Sequence, residues 1–260
     1  MAVNIVIMGA LGRMGQSLRA AATLDAELDI VGLTETPERL AQEKERPEGI
    51  SADLAEVLSK SGRAVLIDFT FPEVSLGAAK IAAKAGCPVV CGSTGLKPVQ
   101  AAELKEIAQK IPYLLAPNMS VGVNLLLKLL PELVRGLGPA YDLEIMEIHH
   151  NKKKDAPSGT ALKLAEALAE ARGLNLDQTA NYSRHGLIGQ RPASEIGIQT
   201  IRGGDVVGVH TVFMLGPGER LEITHQAHSR ETFAQGALRA AKWLNGQKPG
   251  QLYSMADALA

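Results

Sequence analysis

The segment from Glu147 to Ala161, EIHHNKKKDAPSGTA, concentrates side chains that can move protons and hold negative charge. Histidine is a residue type that can exchange protons near neutral pH, and neighbours on a strand point to opposite faces, so at most one of His149 and His150 is expected to face a ligand. Lys153 adds positive charge. A lysine cluster by itself is more often solvated surface, so the interpretation as a site depends on the rest of the chain.

A helix start follows the lysines. Asp155, Pro157 and Ser158 are residue types typical of such a start. The backbone amides of Ser158, Gly159 and Thr160 should therefore point out of the helix, where they attract carboxylate or phosphate groups. The whole segment is suited to acid–base chemistry on a small anionic substrate.

A glycine turn lies near the start of the chain. Gly9, Gly12 and Gly15 follow the apolar run VNIVIM and open an alanine-rich helical pattern. This spacing displaces the middle glycine of the usual dinucleotide fingerprint, but the order of strand, turn and helix suits a pyrophosphate at the helix end. Glu35, twenty residues past Gly15, is placed to accept hydrogen bonds from a ribose. A turn needed only for tight packing is the alternative.

The choice between the two nicotinamide dinucleotides stays open. Glu35 favours NAD(H), because a carboxylate binds the ribose 2′-hydroxyl. Arg13 and Arg39 could instead meet the 2′-phosphate of NADP(H).

Small and polar residues follow three further strand-like runs, where open α/β sheets bind ligands. These candidates for contact with a nicotinamide are Phe69, Thr70, Gly92, Thr94, Ala116 and Asn118.

The first 116 residues alternate short β-branched runs with helical patterns, which predicts a Rossmann-like parallel sheet. Residues 36–62 are more polar and are expected to form a variable connection with one short helix, DLAEVL. After Gly138, four strand-like runs surround one long helix, which predicts a second α+β domain with an open antiparallel or mixed sheet. The turn sequences RGGD and GPGE favour hairpins.

The last helical pattern, ETFAQGALRAAKWLNG, resembles the helices of the first half of the chain. We therefore expect residues 1–120 and 229–260 to form a dinucleotide-binding domain. Residues 121–228 are expected to form a domain for substrate binding and oligomerisation.

Composition excludes several classes of protein. With 260 residues, a net charge of -1 and 3% aromatic residues, the chain lacks the basic surface and stacking platforms of nucleic-acid binders. The start of the chain has no basic region before its short apolar run, and no segment predicts a membrane span, so a cytoplasmic protein is expected. Cys87 and Cys91 are interpreted as buried thiols. His225 and His228 should point to opposite faces of a strand, and no metal site is expected.

The chain resembles the dihydrodipicolinate reductase family of bacterial lysine and diaminopimelate synthesis. The motifs that carry the resemblance are GALGRMG, CGSTG, APNMSVGVN, EIHHNKKKDAPSGTA, RGGDVVGVHTV and SRETFAQGALRAAKWL, and they run nearly end to end. The resemblance implies reduction of 4-hydroxy-tetrahydrodipicolinate by NADH or NADPH, and assembly into a homotetramer through the sheets of the second domains.

The resemblance also implies roles for individual residues. His149 matches the general acid and Lys153 its partner, while His150, Gly159 and Thr160 match groups that bind the substrate's carboxylates. The positions matched to cofactor binding are Gly9, Gly12, Arg13, Met14, Gly15, Glu35, Phe69, Thr70, Gly92, Thr94, Ala116, Asn118, Met119, Arg230 and Phe233. Some NADPH-competent members have Arg directly after the acid, where this chain has Thr36, so NADH is favoured.

Two other functions are consistent with the same motifs. The first is a related two-domain dehydrogenase that acts on another amino or sugar acid. The second is a non-catalytic dinucleotide sensor, which would have no need of His149 and Lys153 together.

Overall fold

The computed structural model describes residues 2–260, which form two compact units. The first unit runs to Val121 and resumes at Arg230–Ala260, and the second is Gly122–Ser229. Within residues 2–260, no helix combines the length and apolar character needed to cross a bilayer.

Residues 2–260 contain twelve strands and ten helices. The strands are β1 (Val3–Met8), β2 (Leu28–Thr34), β3 (Ile50–Ser51), β4 (Val65–Asp68), β5 (Val89–Cys91), β6 (Tyr113–Leu115), β7 (Asp142–His149), β8 (Ala180–Asn181), β9 (Ile196–Arg202), β10 (Gly208–Gly216), β11 (Glu219–Ala227) and β12 (Leu252–Tyr253). The helices are α1 (Arg13–Thr23), α2 (Pro37–Gln42), α3 (Leu54–Lys60), α4 (Pro72–Ala85), α5 (Pro98–Ala108), α6 (Val121–Leu137), α7 (Gly159–Ala171), α8 (Leu176–Thr179), α9 (Glu231–Leu244) and α10 (Met255–Ala258).

The first unit contains a parallel sheet in the order β12-β6-β5-β4-β1-β2-β3. The interior strand β1 is buried on both faces: Ile5 and Ile7 pack in one apolar cluster, and Val6 packs in the other. The strand order reverses between β1 and β4, which places a ligand crevice at the carboxyl ends of these strands. The predicted Rossmann-like architecture is confirmed.

Helix α9 packs in the first unit although it follows the second unit in sequence. Its residues Ala234, Ala237 and Ala241 are completely buried in the same cluster as Ile5 and Leu18. Small side chains allow this helix to lie close to the sheet.

The expectation for residues 36–62 is correct for the helix at DLAEVL, which forms the start of α3, but it missed α2 and β3. Thr36 begins α2 as its N-cap, accepting a hydrogen bond from the Arg39 amide at 3.3 Å, and Pro37 occupies the first turn. Residues Ile50 and Ser51 pair with the end of β2. These short elements were not predicted, because their sequence is polar and largely exposed and shows no clear apolar pattern.

The second unit has a mixed sheet in the order β11-β10-β7-β9-β8, as predicted. β10 is antiparallel to both β7 and β11, while β9 is parallel to β7 and β8. In β7, alternate residues from Leu143 to His149 are buried, and Leu143 and Ile145 join an apolar cluster with residues of α6 and α7. These helices therefore cover one face of the sheet.

One of the two predicted hairpins is wrong. GPGE does connect the antiparallel pair β10 and β11, but RGGD connects β9 and β10, which lie on opposite sides of β7. The connection passes the end of β7, where the Gly203 amide donates to the His149 carbonyl and the His150 amide donates to the Val206 carbonyl. This turn brings residues of three strands around His149.

Candidate active site

The glycine turn of the first unit is shaped by close backbone approach. Gly9 has a backbone φ of +69°, a value that residues other than glycine rarely adopt. A Cβ atom on Gly15 would lie 2.2 Å from the Gly9 carbonyl oxygen, which no real structure tolerates. Gly12 is the N-cap of α1. The turn therefore folds tightly onto the start of α1, in the arrangement that receives a pyrophosphate.

Glu35 lies immediately after β2 with a fixed carboxylate. Its Oε2 accepts a hydrogen bond from the Leu11 amide at 3.0 Å, and its Oε1 accepts one from the Thr36 amide at 2.9 Å. A carboxylate oxygen can accept more than one hydrogen bond, so Glu35 retains capacity for ribose hydroxyl groups. The contact with Leu11 joins the predicted ribose-binding residue directly to the glycine turn.

A cavity of about 570 Å³ adjoins the glycine turn. Nine of the predicted cofactor residues line it: Gly9, Gly12, Arg13, Met14, Gly15, Glu35, Phe69, Thr70 and Arg230. The other lining residues are Met8, Thr34, Thr36, Pro37, Ala52, Leu54, Phe71 and Val74. The size and the mixture of apolar wall with few polar groups are typical of a small-molecule site.

The six remaining predicted cofactor residues do not line this cavity. Ala116 and Met119 are buried in the core, and Phe233 packs against the same core. Gly92 lies against the ring of Phe69, where a Cβ atom would come within 2.2 Å. Thr94 is exposed and Asn118 is half-buried. Their contact with a cofactor stays a prediction.

The sequence interpretation missed the apolar wall of the cavity. Phe71 is 72% exposed and Val74 is 42% exposed, both at the start of α4. Exposed apolar side chains at a cavity can cover a flat aromatic ring. Their position just after Phe69 and Thr70 was the available signal, because it places them at the same sheet edge.

Glu147 is the centre of a buried polar network in the second unit. Its side chain is 0% exposed. Oε2 contacts Nδ1 of His149 at 2.6 Å, and Arg202 donates to both carboxylate oxygens at 2.8 Å. Oε1 also accepts the Ser158 amide at 2.9 Å. Burial opposes ionisation, but these hydrogen bonds lower the pKa of Glu147 to about 2, so the group is a carboxylate at neutral pH.

His149 is buried beside this carboxylate, with 8% of its surface exposed. Burial lowers the pKa of His149, its contact with Glu147 raises it, and the charges of Lys153 and Arg202 lower it further. The net direction is downward. An anionic ligand beside His149 would favour its protonated form.

His210 was left without a partner by the sequence interpretation, but it belongs to this network. Its Nε2 lies 3.0 Å from Oγ of Ser158, and its ring meets that of His149 edge to face at 5.1 Å between centroids. Burial, followed by the charge of His149, lowers the pKa of His210 to about 4. His210 is the register partner of Glu147 on β10, a relation that only the strand pairing reveals.

The other predicted residues of this segment lie at the start of α7. Ser158 caps the helix by accepting the Ala161 amide at 3.2 Å, and Gly159 and Thr160 form its first turn. Nζ of Lys153 lies 2.9 Å from a carboxylate oxygen of Asp155. His150 is half-buried, and its Nδ1 accepts the Lys152 amide at 3.2 Å. The second unit thus combines a buried histidine, cationic side chains and a helix start.

The expectation for the late histidines needs one correction. His225 lies on β11 opposite His210, but β11 ends at Ala227, so His228 lies outside the strand. Among residues 2–260, no group of three potential ligands could hold a metal ion.

The fold and these two groups of residues define a two-domain, dinucleotide-dependent oxidoreductase. Sequence comparison then identifies the family. The profile described as "Dihydrodipicolinate reductase, N-terminus" matches residues 3–119, and the profile described as "Dihydrodipicolinate reductase, C-terminus" matches residues 122–259. The chain belongs to the dihydrodipicolinate reductase family.

Individual relatives agree with this assignment. The chain is 58% identical over 261 residues to a 4-hydroxy-tetrahydrodipicolinate reductase of Nitratidesulfovibrio vulgaris (strain Miyazaki F), covering 100% of both chains. It is 48% identical over 268 residues to the enzyme of that name from Myxococcus xanthus, covering 99% of this chain and 97% of the relative. A solved structure, dipicolinate-bound dihydrodipicolinate reductase from Paenisporosarcina sp. TG-14, shares the fold with a TM-score of 0.80 at 21% identity, covering 98% of each chain.

Proposed function

We propose that this protein reduces 4-hydroxy-tetrahydrodipicolinate, with loss of water, to tetrahydrodipicolinate in lysine and diaminopimelate synthesis. The observation that carries the proposal is the buried pair of Glu147 and His149 beside Lys153, in a family member whose other unit has a dinucleotide cavity. Acid–base groups are needed here because hydride addition leaves electron density that must be protonated.

The first unit is proposed to bind the cofactor. The tight turn at Gly15 and the anchored carboxylate of Glu35 fit a dinucleotide, because they leave room for a pyrophosphate and can accept ribose hydroxyl groups. When bound, NAD(P)H supplies hydride to the substrate ring. The proposal needs no metal ion.

The second unit is proposed to bind the substrate and complete the reaction. His150, Gly159 and Thr160 bind the carboxylates, since the start of α7 favours anions. Lys153 stabilises the negative charge that develops on the ring after hydride addition. His149 then donates a proton to the ring. The solved dipicolinate-bound relative supports a small dicarboxylate as the ligand class.

NADH is proposed as the preferred cofactor. Thr36, beside the ribose-binding Glu35, carries no charge that could pair with a 2′-phosphate. The neighbouring wall, formed by Pro37, Phe71 and Val74, is apolar. In this proposal Arg13 binds the pyrophosphate of the cofactor rather than a 2′-phosphate.

Thr36→Arg is expected to lower KM for NADPH by about tenfold, since one added charge-assisted hydrogen bond contributes about 1.5 kcal/mol. KM for NADH should change little. Thr36→Ala is the matched control, because it also removes the N-cap of α2 but adds no charge. The proposal is wrong if wild-type protein already prefers NADPH, or if both variants behave alike in steady-state kinetics.

A homotetramer assembled through the sheet of the second unit is also proposed. The sheet face opposite α6 and α7 presents Met146, Ile148, Val209 and Phe213, all half-buried, and Ile201, which is 44% exposed. Such a face on the three adjacent strands β10, β7 and β9 is suited to self-association about a twofold axis.

Met146→Lys should dissociate the assembly, because it buries like charges across the proposed interface. Light scattering should give a mass near four times 27.5 kDa for wild-type protein and a smaller mass for this variant. Leu24→Lys, at a leucine that is 88% exposed in the first unit, is the control and should stay tetrameric. A monomeric wild type, or a tetrameric Met146→Lys protein, would contradict the proposal.

The activity itself can be tested in a coupled assay with purified protein. The substrate is generated from pyruvate and aspartate semialdehyde, oxidation of NADH and NADPH is followed with a chelator present, and the product is identified. A related dehydrogenase would leave this substrate unreacted and oxidise cofactor with another acid, while a sensor would bind cofactor without turnover. We place the reaction in the cytoplasm, where NAD(P)H is available.

A further inference from the structure

The reaction proposed above assigns no separate role to Glu147. It is completely buried, it lies two residues before His149 on the same face of β7, and Arg202 holds both of its oxygens. One oxygen contacts His149 and the other accepts the Ser158 amide at the start of α7. A single carboxylate therefore joins the proposed proton donor to the proposed carboxylate-binding helix.

The contact at 2.6 Å determines which ring nitrogen of His149 carries a proton. An ionised carboxylate only accepts hydrogen bonds, so Nδ1 of His149 must be the donor. In the neutral ring Nε2 is then unprotonated, and in the charged ring Nε2 carries the transferable proton. Nε2 is thus the atom available to a substrate.

The glycine at position 208 keeps a side chain away from Nε2, which is consistent with this orientation. Gly208 lies on β10 next to β7, and a Cβ atom there would come within 3.0 Å of Nε2 and within 3.4 Å of Cδ2 of His149. A side chain at this position would crowd the exchanging nitrogen.

We propose that Glu147 is a positioning residue, which holds His149 with its proton on Nδ1 and Nε2 directed to the substrate, and which aligns the start of α7 with it. The proposal rests on the function proposed above. The arrangement uses the principle of a carboxylate that orients a catalytic histidine without exchanging a proton itself.

The charged groups near His149 predict opposite effects of two substitutions. Glu147 on β7 favours the protonated ring, while Lys153 and Arg202 disfavour it. His210 on β10 packs against the ring, and Asp155 is paired with Lys153. Removing the carboxylate should lower the pKa of His149, and removing the Arg202 charge should raise it.

In Glu147→Gln, the amide oxygen is expected at the Oε1 position, where it accepts from Nη2 of Arg202 and from the Ser158 amide. The NH₂ group then takes the Oε2 position and faces Nδ1 of His149 and Nη1 of Arg202. The proton on Nδ1 then has no acceptor, which disfavours the protonated ring. We expect kcat to fall about tenfold with little change in KM for NADH, and the loss of rate at alkaline pH to begin at lower pH. Arg202→Gln should move that loss to higher pH.

Glu144→Gln is the matched control. Glu144 lies on the opposite face of β7 and is also held by an arginine, Arg184, through two hydrogen bonds of 2.9 and 2.7 Å, but it does not contact His149. Its pH–rate profile should match that of the wild type.

The test is a set of pH–rate profiles for the wild type and the three variants, measured with generated hydroxy-tetrahydrodipicolinate and NADH. Shifts in opposite directions for Glu147→Gln and Arg202→Gln support positioning. The positioning role of Glu147 is overturned if Glu147→Gln and Glu144→Gln have equal pH–rate profiles. If Glu147→Gln fails to fold, an Arg202→Gln profile that is not shifted from that of the wild type overturns it instead. A wild type without turnover would instead overturn the proposed function.

Discussion

Replacement of His149 with Gln is expected to lower kcat for hydroxy-tetrahydrodipicolinate by about two to three powers of ten, the usual scale for loss of one acid–base group. Gln can fill part of the volume and can form hydrogen bonds, but it cannot donate a proton to carbon at neutral pH. The proton must then come from water. Because the cofactor residues lie in the other unit, the affinity for NADH should be unchanged.

Steady-state kinetics with generated substrate, and a fluorescence titration with NADH, would measure the two quantities separately. His185→Gln is the matched control, since His185 is an exposed histidine of the same unit. A His149→Gln protein with a rate close to that of the His185→Gln protein would rule out His149 as the general acid.

Lys153→Ala is expected to lower kcat by about two powers of ten, because a positioned cation stabilises charge that develops only in the transition state. Nζ of Lys153 is held by Asp155 at 2.9 Å, and the side chain is 21% exposed, so its charge is partly shielded from solvent. Its loss should also weaken substrate binding, since the substrate carries two carboxylates.

Lys154→Ala is the control for this prediction, because Lys154 is the next residue and is exposed. Lys153→Arg keeps the charge and should recover part of the rate. If Lys153→Ala and Lys154→Ala have the same kcat/KM, the stabilising role assigned to Lys153 is wrong.

Much of the fold follows from local sequence patterns. The glycine turn between β1 and α1 was predicted from its spacing, and the structure explains the spacing through the contact of Gly15 with the Gly9 carbonyl. The parallel first sheet and the mixed second sheet were predicted from alternating patterns and are confirmed. The start of α7 at Ser158 was also predicted, because the residue types that indicate it lie within a few positions of one another.

Long-range pairing could not be predicted in the same way. The RGGD turn was interpreted as a hairpin, because no local signal shows that β7 inserts between β9 and β10. The same strand order brings Arg202 and His210 to the Glu147–His149 pair across 55 and 63 positions of the chain, respectively, counted from Glu147. A buried glutamate between apolar residues of a strand was the one available sign of this network.

Transfer of deuterium to the product from NADH that carries deuterium at both C4 positions of the nicotinamide tests the central claim most directly. Purified protein would be supplied with generated hydroxy-tetrahydrodipicolinate, and the product would be examined by mass spectrometry. We predict one deuterium in the ring of tetrahydrodipicolinate for each labelled cofactor oxidised. Oxidation of the cofactor without label in that product, or no oxidation at all, would contradict the account.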